Sequence, residues 1–529
     1  MPTPYQTPIG SFTHKSTFFW AAVGATVGLA NLWQFPYLAS IHGGGLFVLL
    51  YLACLLLVTL PLMVTEAAVG RYARHGIVLA MDGLIRSAKS SRAWMAVGRL
   101  SVLGAFLVLS FTAVFGAIAL AYVFFGAMGQ FSATSQAKVT GVLAKLVSDP
   151  REVRQFMGWH GFFLVMVLWV SGQGVVGGLE RALRIVVPGT LLLLLALFVF
   201  AAWYGRFDDA ISQILQMRPQ DVSWSSLSAA LFHAFYSLGL GVGVWAILGA
   251  YTSPDTQLKR SILAVVLMDT LVAILAGLMI FSVTTEASVF DGQRGFGLLF
   301  ISLPHTLAEL PASQFVIATV FAMVVMIVWA TALALLEPIV GWFREWTCAP
   351  RGLSVFLVGL GVWLAGLITL FSFNVWADFH IGGATGFRWL ELATGGLMIP
   401  AVAILIALFT GWSLTRNLSK TIVGAAPALF SAIWFWVMRL VLPLVVAYIA
   451  IHYTAASLVG LCDSGGSAFW CEPAAGMDFR DDGGAVPEAK SRELEEPLPA
   501  GSVPANDHGE QHPPLENAPK EDDILYHSV

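Results

Sequence analysis

Apolar residues recur along this chain in blocks long enough for a bilayer-crossing helix of about 20 residues. They fall near 17–41, 45–69, 97–128, 160–178, 186–204, 227–250, 262–285, 314–341, 353–372, 388–412 and 430–458. The pattern predicts eleven spans and no strands. Two blocks are interrupted: the first has no charge from Phe18 to Ile41, yet carries Gly24, Gly28, Asn31, Gln34 and Pro36, and the sixth reads "HAFYSLGLGVGVW", with Gly239, Gly241 and Gly243 in its middle. Non-helical backbone at membrane depth is tolerated only where protein, water or ions satisfy the freed N–H and C=O groups. A kink made only for packing is the bland alternative on either span alone. Two breaks at corresponding places of two five-span halves point instead to an inverted-repeat transporter with a midplane site.

Composition agrees with a multi-spanning protein: 57% of the 529 residues are hydrophobic, 11% are charged, and the mean hydropathy is +0.77. The opening "MPTPYQTPIGSFTHKS" is polar and shows no cleavable leader. Bases gather after alternate spans, as Arg71, Arg74, Arg86, Lys89 and Arg92 after the second, Lys259 and Arg260 after the sixth, Arg344 and Arg351 after the eighth, and Arg416 and Lys420 after the tenth. The positive-inside rule puts those loops and the N-terminus in the cytoplasm. An odd count then puts the C-terminal tail in the periplasm, with a bacterial inner membrane as the expected home. Three segments follow: a cytoplasmic stretch 1–16, a membrane domain 17–461, and a tail 462–529. The tail holds 15 acidic and 4 basic residues and is expected to be disordered. Cys462 and Cys471 could close a small disulfide loop there if the tail lies in an oxidising compartment. Cys54, inside an apolar block, reads as a packing residue.

The stretches "GATVGLANLWQFPY", "GGGLFVLLY", "LPLMVTEAAVGR", "FYSLGLGVG", "LMDTLVAILAGLMIF" and "LALLEPIVGWF" occur in this order between residues 15 and 345. Together they resemble the neurotransmitter:sodium symporters. The resemblance implies an all-α membrane protein of about eleven transmembrane helices, a 5+5 inverted repeat with discontinuous first and sixth helices. It also implies a first sodium site from the Thr26 carbonyl, Asn31, Ser237 and Asp269. A second would use the carbonyls of Gly24, Val27 and Ile327 with the Thr331 hydroxyl, and is incomplete because Ala330 stands where the family has a hydroxyl. Hard oxygen donors of this kind suit an alkali cation. Asp269, in "AVVLMDTLVAIL", is costly at that depth unless neutralised or paired; a protonated structural acid is the other reading. A carboxylate here favours a protein that needs no chloride.

The same resemblance places the substrate carboxylate on the amides of Leu29 and Ala30, with Ala25, Gly28, Val108, Thr112, Phe235, Tyr236, Gly239 and Leu335 around the rest. Thr112 replaces a tyrosine that donates to that carboxylate, and Gln34 replaces an outer-gate arginine, with Asp378 only loosely matching the gate acid. Tyr236 offers a replacement phenol, and His233 reads either as a polar contact or as a packed histidine. The substitutions suggest a β- or γ-amino acid or a taurine-like sulfonate; an ordinary α-amino acid held through water fits equally. Tyr251 and Glu345 match the inner gate, Phe12 takes the place of a tryptophan, and Lys15 is the nearest base. Glu66 and Glu337 are expected to brace spans one and six.

The functional expectation is a sodium-coupled symporter of an amino acid or related small molecule, working by alternating access in a lipid bilayer and using one or two sodium ions. A proton-driven carrier with Asp269 as the proton site, or a substrate sensor that does not transport, are the alternatives. No HExxH or GxSxG motif and no paired intramembrane aspartates suggest an enzyme, and nothing points to nucleic acid.

Overall fold

The computed structural model describes residues 9–132, 135–253, 255–284, 296–414, 422 and 428–463; these form helices, with only isolated bridges and no β-strand among them. The tail beyond Asp463, with Cys471, and the bases Arg416 and Lys420 lie outside the described residues.

Nine helices among the described residues are long and apolar enough to cross a bilayer: Gly45–Ala73, Arg92–Ala127, Pro150–Gly172, Val175–Tyr204, Leu258–Val283, Ser313–Thr347, Arg351–Phe373, Gly386–Ser413 and Ser431–Leu458. They are spans two to five and seven to eleven. Spans one and six are each built from two shorter helices, Thr17–Thr26 with Gln34–Ile41 and Trp224–Tyr236 with Val244–Tyr251. Both predicted breaks are therefore present.

Spans four and five differ from the hydropathy reading. Span four begins at Pro150 and ends at Gly172, rather than covering 160–178, and span five begins at Val175, rather than at 186. The apolar count stops at Arg151, Arg154, Arg181 and Arg184, whereas helix hydrogen bonding does not. Long arginine stems lie along an apolar helix end while their heads reach polar surroundings. Shorter helices fill several connections. In Ile77–Ala88, the residues Ile77, Ala80, Met81, Leu84 and Ile85 are buried, while Asp82 and Arg86 pair at 2.8 Å on the other face. This is the 3.6-residue period of a helix lying on the end of the bundle.

Span three packs along span eight, and the second helix of span six packs along span two. The latter contact is backbone on backbone: a Cβ on Gly249 would stand 2.0 Å from the Ala67 carbonyl oxygen, and one on Gly70 1.8 Å from that of Ala246. Only glycine permits so close an approach, as at small-residue membrane interfaces. At one end of the bundle Arg71 donates to the Thr256 carbonyl at 2.7 Å and Arg74 to those of Ala250 and Thr252. His75 meets Glu345 at 3.1 Å, and Lys15 meets Asp255 at 3.6 Å. The turns after spans two and six, the end of span eight and the N-terminal segment thus share one end.

Gly249→Leu should lower the melting temperature of the detergent-purified protein sharply, because overpacking costs about 1–3 kcal/mol even where neighbours can shift and here the neighbour is backbone. Gly83→Ala, in the amphipathic helix with open space around it, should hold or raise that temperature, by the roughly 1 kcal/mol that favours alanine over glycine in a helix.

Candidate ion and substrate site

The first helix stops at Thr26. Val27 and Gly28 are extended, a single turn follows at Leu29–Leu32, and the chain re-enters a helix at Gln34. In span six Gly239, Gly241 and Gly243 have φ of 62°, 76° and 74°, a region closed to most side chains. Freed groups find partners from the protein. Gly28 N–H donates to Asn31 Oδ1 at 3.0 Å, Gly241 N–H to Glu66 Oε1 at 2.9 Å, and Trp245 Nε1–H to the Leu238 carbonyl at 2.8 Å. Glu66 braces span six, as expected.

Between the two breaks lies Asp269, with none of its surface exposed. Its Oδ1 accepts from Asn31 Nδ2 at 3.1 Å and its Oδ2 from the Tyr51 hydroxyl at 3.0 Å; that hydroxyl also stands 3.3 Å from Ser237 Oγ. Asn31, Ser237 and Asp269 are thus brought together. Among the described residues no basic side chain forms an ion pair with Asp269. A buried carboxylate without a cationic side chain suits a bound cation. Tyr51 was missed because a tyrosine in an apolar block reads as a packing residue.

A second oxygen cluster forms where span eight meets the first break. Thr331 Oγ1 stands 3.3 Å from each of the carbonyl oxygens of Gly24, Val27 and Ile327. One hydroxyl hydrogen can serve only one of three carbonyls, so the set suits a cation that draws on all four oxygens. Ala330 turns toward Gly24, where a Cβ on the glycine would meet the Ala330 Cβ at 3.2 Å. Ala330 thus brings a methyl group and no oxygen to this place.

A cavity of about 120 Å³ adjoins both clusters. Of the residues expected around a substrate, Ala25, Gly28, Leu29, Ala30, Val108, Thr112, Tyr236, Gly239 and Leu335 line it, together with Thr26, Ser237 and Thr331 of the two oxygen clusters. Phe235 does not. It is fully buried, one helix position and so about 100° from Tyr236. The expectation that Tyr236 lends its phenol to a substrate anion is also corrected, because that hydroxyl donates to the Gly395 carbonyl at 2.5 Å. Span ten supplies wall residues that went unnoticed in the sequence: Glu391, Thr394, Gly395 and Ile399.

The residues expected at the gates have other partners. Gln34 Oε1 lies 3.2 Å from His233 Nδ1, and that histidine sits among Phe35 and Tyr51. Asp378 is exposed in the connection before span ten. At the other end Tyr251 and Glu345 fall into separate clusters. The Tyr251 hydroxyl donates to Glu337 Oε2 at 2.7 Å, and Glu337 is also held by Ser171 and Arg351. Glu345 instead accepts from Gly76 N–H at 2.9 Å beside His75. Phe12 packs edge-on against Tyr251, with ring centroids 5.4 Å apart, and its N–H donates to the Tyr251 carbonyl at 2.8 Å. The N-terminal segment is then fastened by Glu180 of span five. That carboxylate accepts from Thr13 N–H, Thr13 Oγ1, His14 N–H and Thr17 Oγ1 at 2.7–3.0 Å, with His14 Nδ1 at 2.9 Å.

The model of the sodium:neurotransmitter symporter family matches residues 10–139 and 151–460. The chain belongs to that family. It is therefore a sodium-coupled transporter. An uncharacterized sodium-dependent transporter of Bacillus subtilis, YhdH, is 29% identical over 84% of this chain and 98% of its own length. One from Haemophilus influenzae is 25% identical over 83% of this chain and 97% of its own. The crystal structure of MhsT in complex with L-phenylalanine superposes with a TM-score of 0.73 at 25% identity, covering 84% of this chain and 99% of that one.

Tyr51→Phe should weaken sodium-dependent stabilisation in a melting assay about tenfold in sodium concentration, in line with the roughly 1.5–3 kcal/mol of a hydrogen bond to a charged group; Asp269→Asn should abolish it. Glu180→Gln should make a cysteine introduced at Thr26 react faster with a water-soluble thiol reagent from the N-terminal side, because the strap over that end loses its strongest acceptor.

Proposed function

We propose that this chain carries an amino acid or a close derivative across the membrane together with sodium. The observation that carries the reading is Asp269, a buried carboxylate set between both breaks and held by neutral donors alone. Sodium would sit there with the Thr26 carbonyl, Asn31 and Ser237. A second ion would use Gly24, Val27, Ile327 and Thr331, its shell completed by water where Ala330 gives nothing. Because Thr26, Asn31 and the Leu29–Ala30 amides belong to one short unwound stretch, an ion in the first cluster orders the backbone that receives a substrate carboxylate. Amide ends favour the anion and carbonyl ends the cation.

The alternating exposure follows the family pattern of one bundle rocking against the rest. Thr112 stands further back than a tyrosine would, which leaves room for the larger head group of a β- or γ-amino acid or a taurine-like sulfonate. Asp269 supplies its own negative charge beside Tyr51 and Ser237, so chloride is not required. The shared end that holds the basic turns faces the cytoplasm of a bacterial cell.

Proteoliposomes with an inward sodium gradient should accumulate radiolabelled amino acid. Accumulation should vanish when choline replaces sodium at fixed pH and should persist when gluconate replaces chloride. Equal uptake in choline would move the coupling to protons, and sodium-dependent binding without accumulation would make the chain a sensor.

A further inference from the structure

Arg439 lies within span eleven, Ser431–Leu458, and no acid answers it. From Leu392 to Cys462 the chain carries Arg416, Lys420 and Arg439 and no Asp or Glu. Among the described residues the Arg439 guanidinium forms no ion pair and donates no hydrogen bond. Its neighbours are rings. The guanidinium carbon stands 4.0 Å from the ring centroid of Trp412, at the end of span ten, and 5.7 Å from that of Phe435. Trp412 is fixed in place, because its indole N–H donates to the Arg439 carbonyl at 3.1 Å. The two spans also meet closely there, since a Cβ on Gly411 would stand 3.0 Å from the Arg439 Cα.

The same contact sets the level of the arginine. Gly411 and Trp412 close span ten, which ends at Ser413. Two residues earlier, Phe409 packs on Trp94 with ring centroids 5.3 Å apart, and Trp94 follows Arg92 at the start of span three. Arg439 therefore stands at the end of the bundle that carries the basic turns. Aromatic faces give a cation about 0.5–2 kcal/mol, yet they leave its N–H groups without acceptors, and charged side chains in membrane spans nearly always have a polar partner.

The surroundings bound what that partner is. Beyond Arg439 the outward face of span eleven is carbon: Leu440, Leu444 and Ile451 are 46%, 70% and 70% exposed, and steps of four and seven residues keep them in one stripe. An anion seated here therefore has a long apolar body. A planar guanidinium fork matches two phosphate oxygens. A zwitterionic head group would bring an ammonium for which these two spans hold no carboxylate, so the head group is a net anion.

From this geometry we propose that Arg439 and Trp412 form a binding site for an anionic phospholipid, with the phosphate on the guanidinium and an acyl chain along Leu440, Leu444 and Ile451. Anionic leaflets favour basic groups at their surface; this site adds a fixed platform and a groove. Neither Arg439 nor Trp412 lines the central cavity, so the proposal goes beyond the transport reading and stands or falls apart from it.

The test adds dioleoylphosphatidylglycerol or dioleoylphosphatidylcholine to the purified full-length protein in a neutral detergent, with bound lipid counted by native mass spectrometry and half-saturation read from thermal shift. The glycerol lipid should bind about tenfold tighter than the choline lipid, a factor equal to about 1.4 kcal/mol. In Arg439→Gln that preference should fall within about twofold. Arg439→Lys keeps the charge without the fork and should lose at least about threefold, which decides the matter if the glutamine variant does not fold. Arg184→Gln, on span five, should leave the preference in place. Equal binding of the two lipids in the wild type overturns the proposal, as does a preference that survives in Arg439→Gln or, where that variant does not fold, is undiminished in Arg439→Lys. An equal loss in Arg184→Gln would make the attraction a diffuse one and overturn it too. So would stabilisation by inorganic phosphate at the same concentrations, which would make the ligand a free anion.

Discussion

A peptide group freed from its helix at membrane depth must find another partner, and that requirement organises this protein. Where the partner is a donor or acceptor of the fold, the break becomes rigid: Gly28 on Asn31, Gly241 on Glu66, Leu238 on Trp245. Where carbonyls outnumber donors, as around Thr331, the surplus of lone pairs suits a cation. The helices around the breaks hold the unwound backbone so that its oxygens face one another rather than lipid.

This arrangement links ions and substrate through backbone rather than through a chain of side chains. Residues 24–31 contribute to both oxygen clusters and to the cavity wall. An ion at either cluster therefore narrows the conformations of the stretch that a substrate must meet. Such coupling is reciprocal, commonly about 1–3 kcal/mol. Asp269, held by neutral donors alone, would make an emptied site the less favourable one, since a buried charge without a partner costs several kcal/mol more than a paired one.

How much of this could be read beforehand depended on the kind of signal. Breaks are conspicuous in sequence because glycine, asparagine and proline contrast with an apolar block, and Asp269 is conspicuous for the same reason. Tyr51 carries no such contrast, and its hydroxyl matters only because span two packs where Ser237 and Asp269 converge. Phe235 and Tyr236 are neighbours in sequence but face about 100° apart on a helix, so sequence position alone could not choose between them. Glu391 sits near the polar start of span ten, where an acid looks ordinary; only the folded bundle turns it toward the cavity. Tyr251 and Glu345, both expected at the inner gate, do not meet in the structure. Glu337, one turn into the buried part of span eight, takes the tyrosine instead.

The same contrast explains where the molecule can move. Glu66 and Glu180 are both carboxylates that hold backbone N–H groups, but they face different costs on release. Glu66 lies at the heart of the bundle, where a freed carboxylate would meet no water, so its hold on Gly241 is a fixed point of the fold. Glu180 lies at the start of span five, under a strap of residues 12–17 whose His14 is already open to solvent, with 57% of its side chain exposed. Were that strap to lift, water would replace the donors it carries, so each bond would cost its net worth, about 1.5–3 kcal/mol to a charged group, and not the larger cost of leaving a buried charge empty. Opening at that end would therefore cost less than opening the centre, as a carrier with one fixed central site and two movable ends needs.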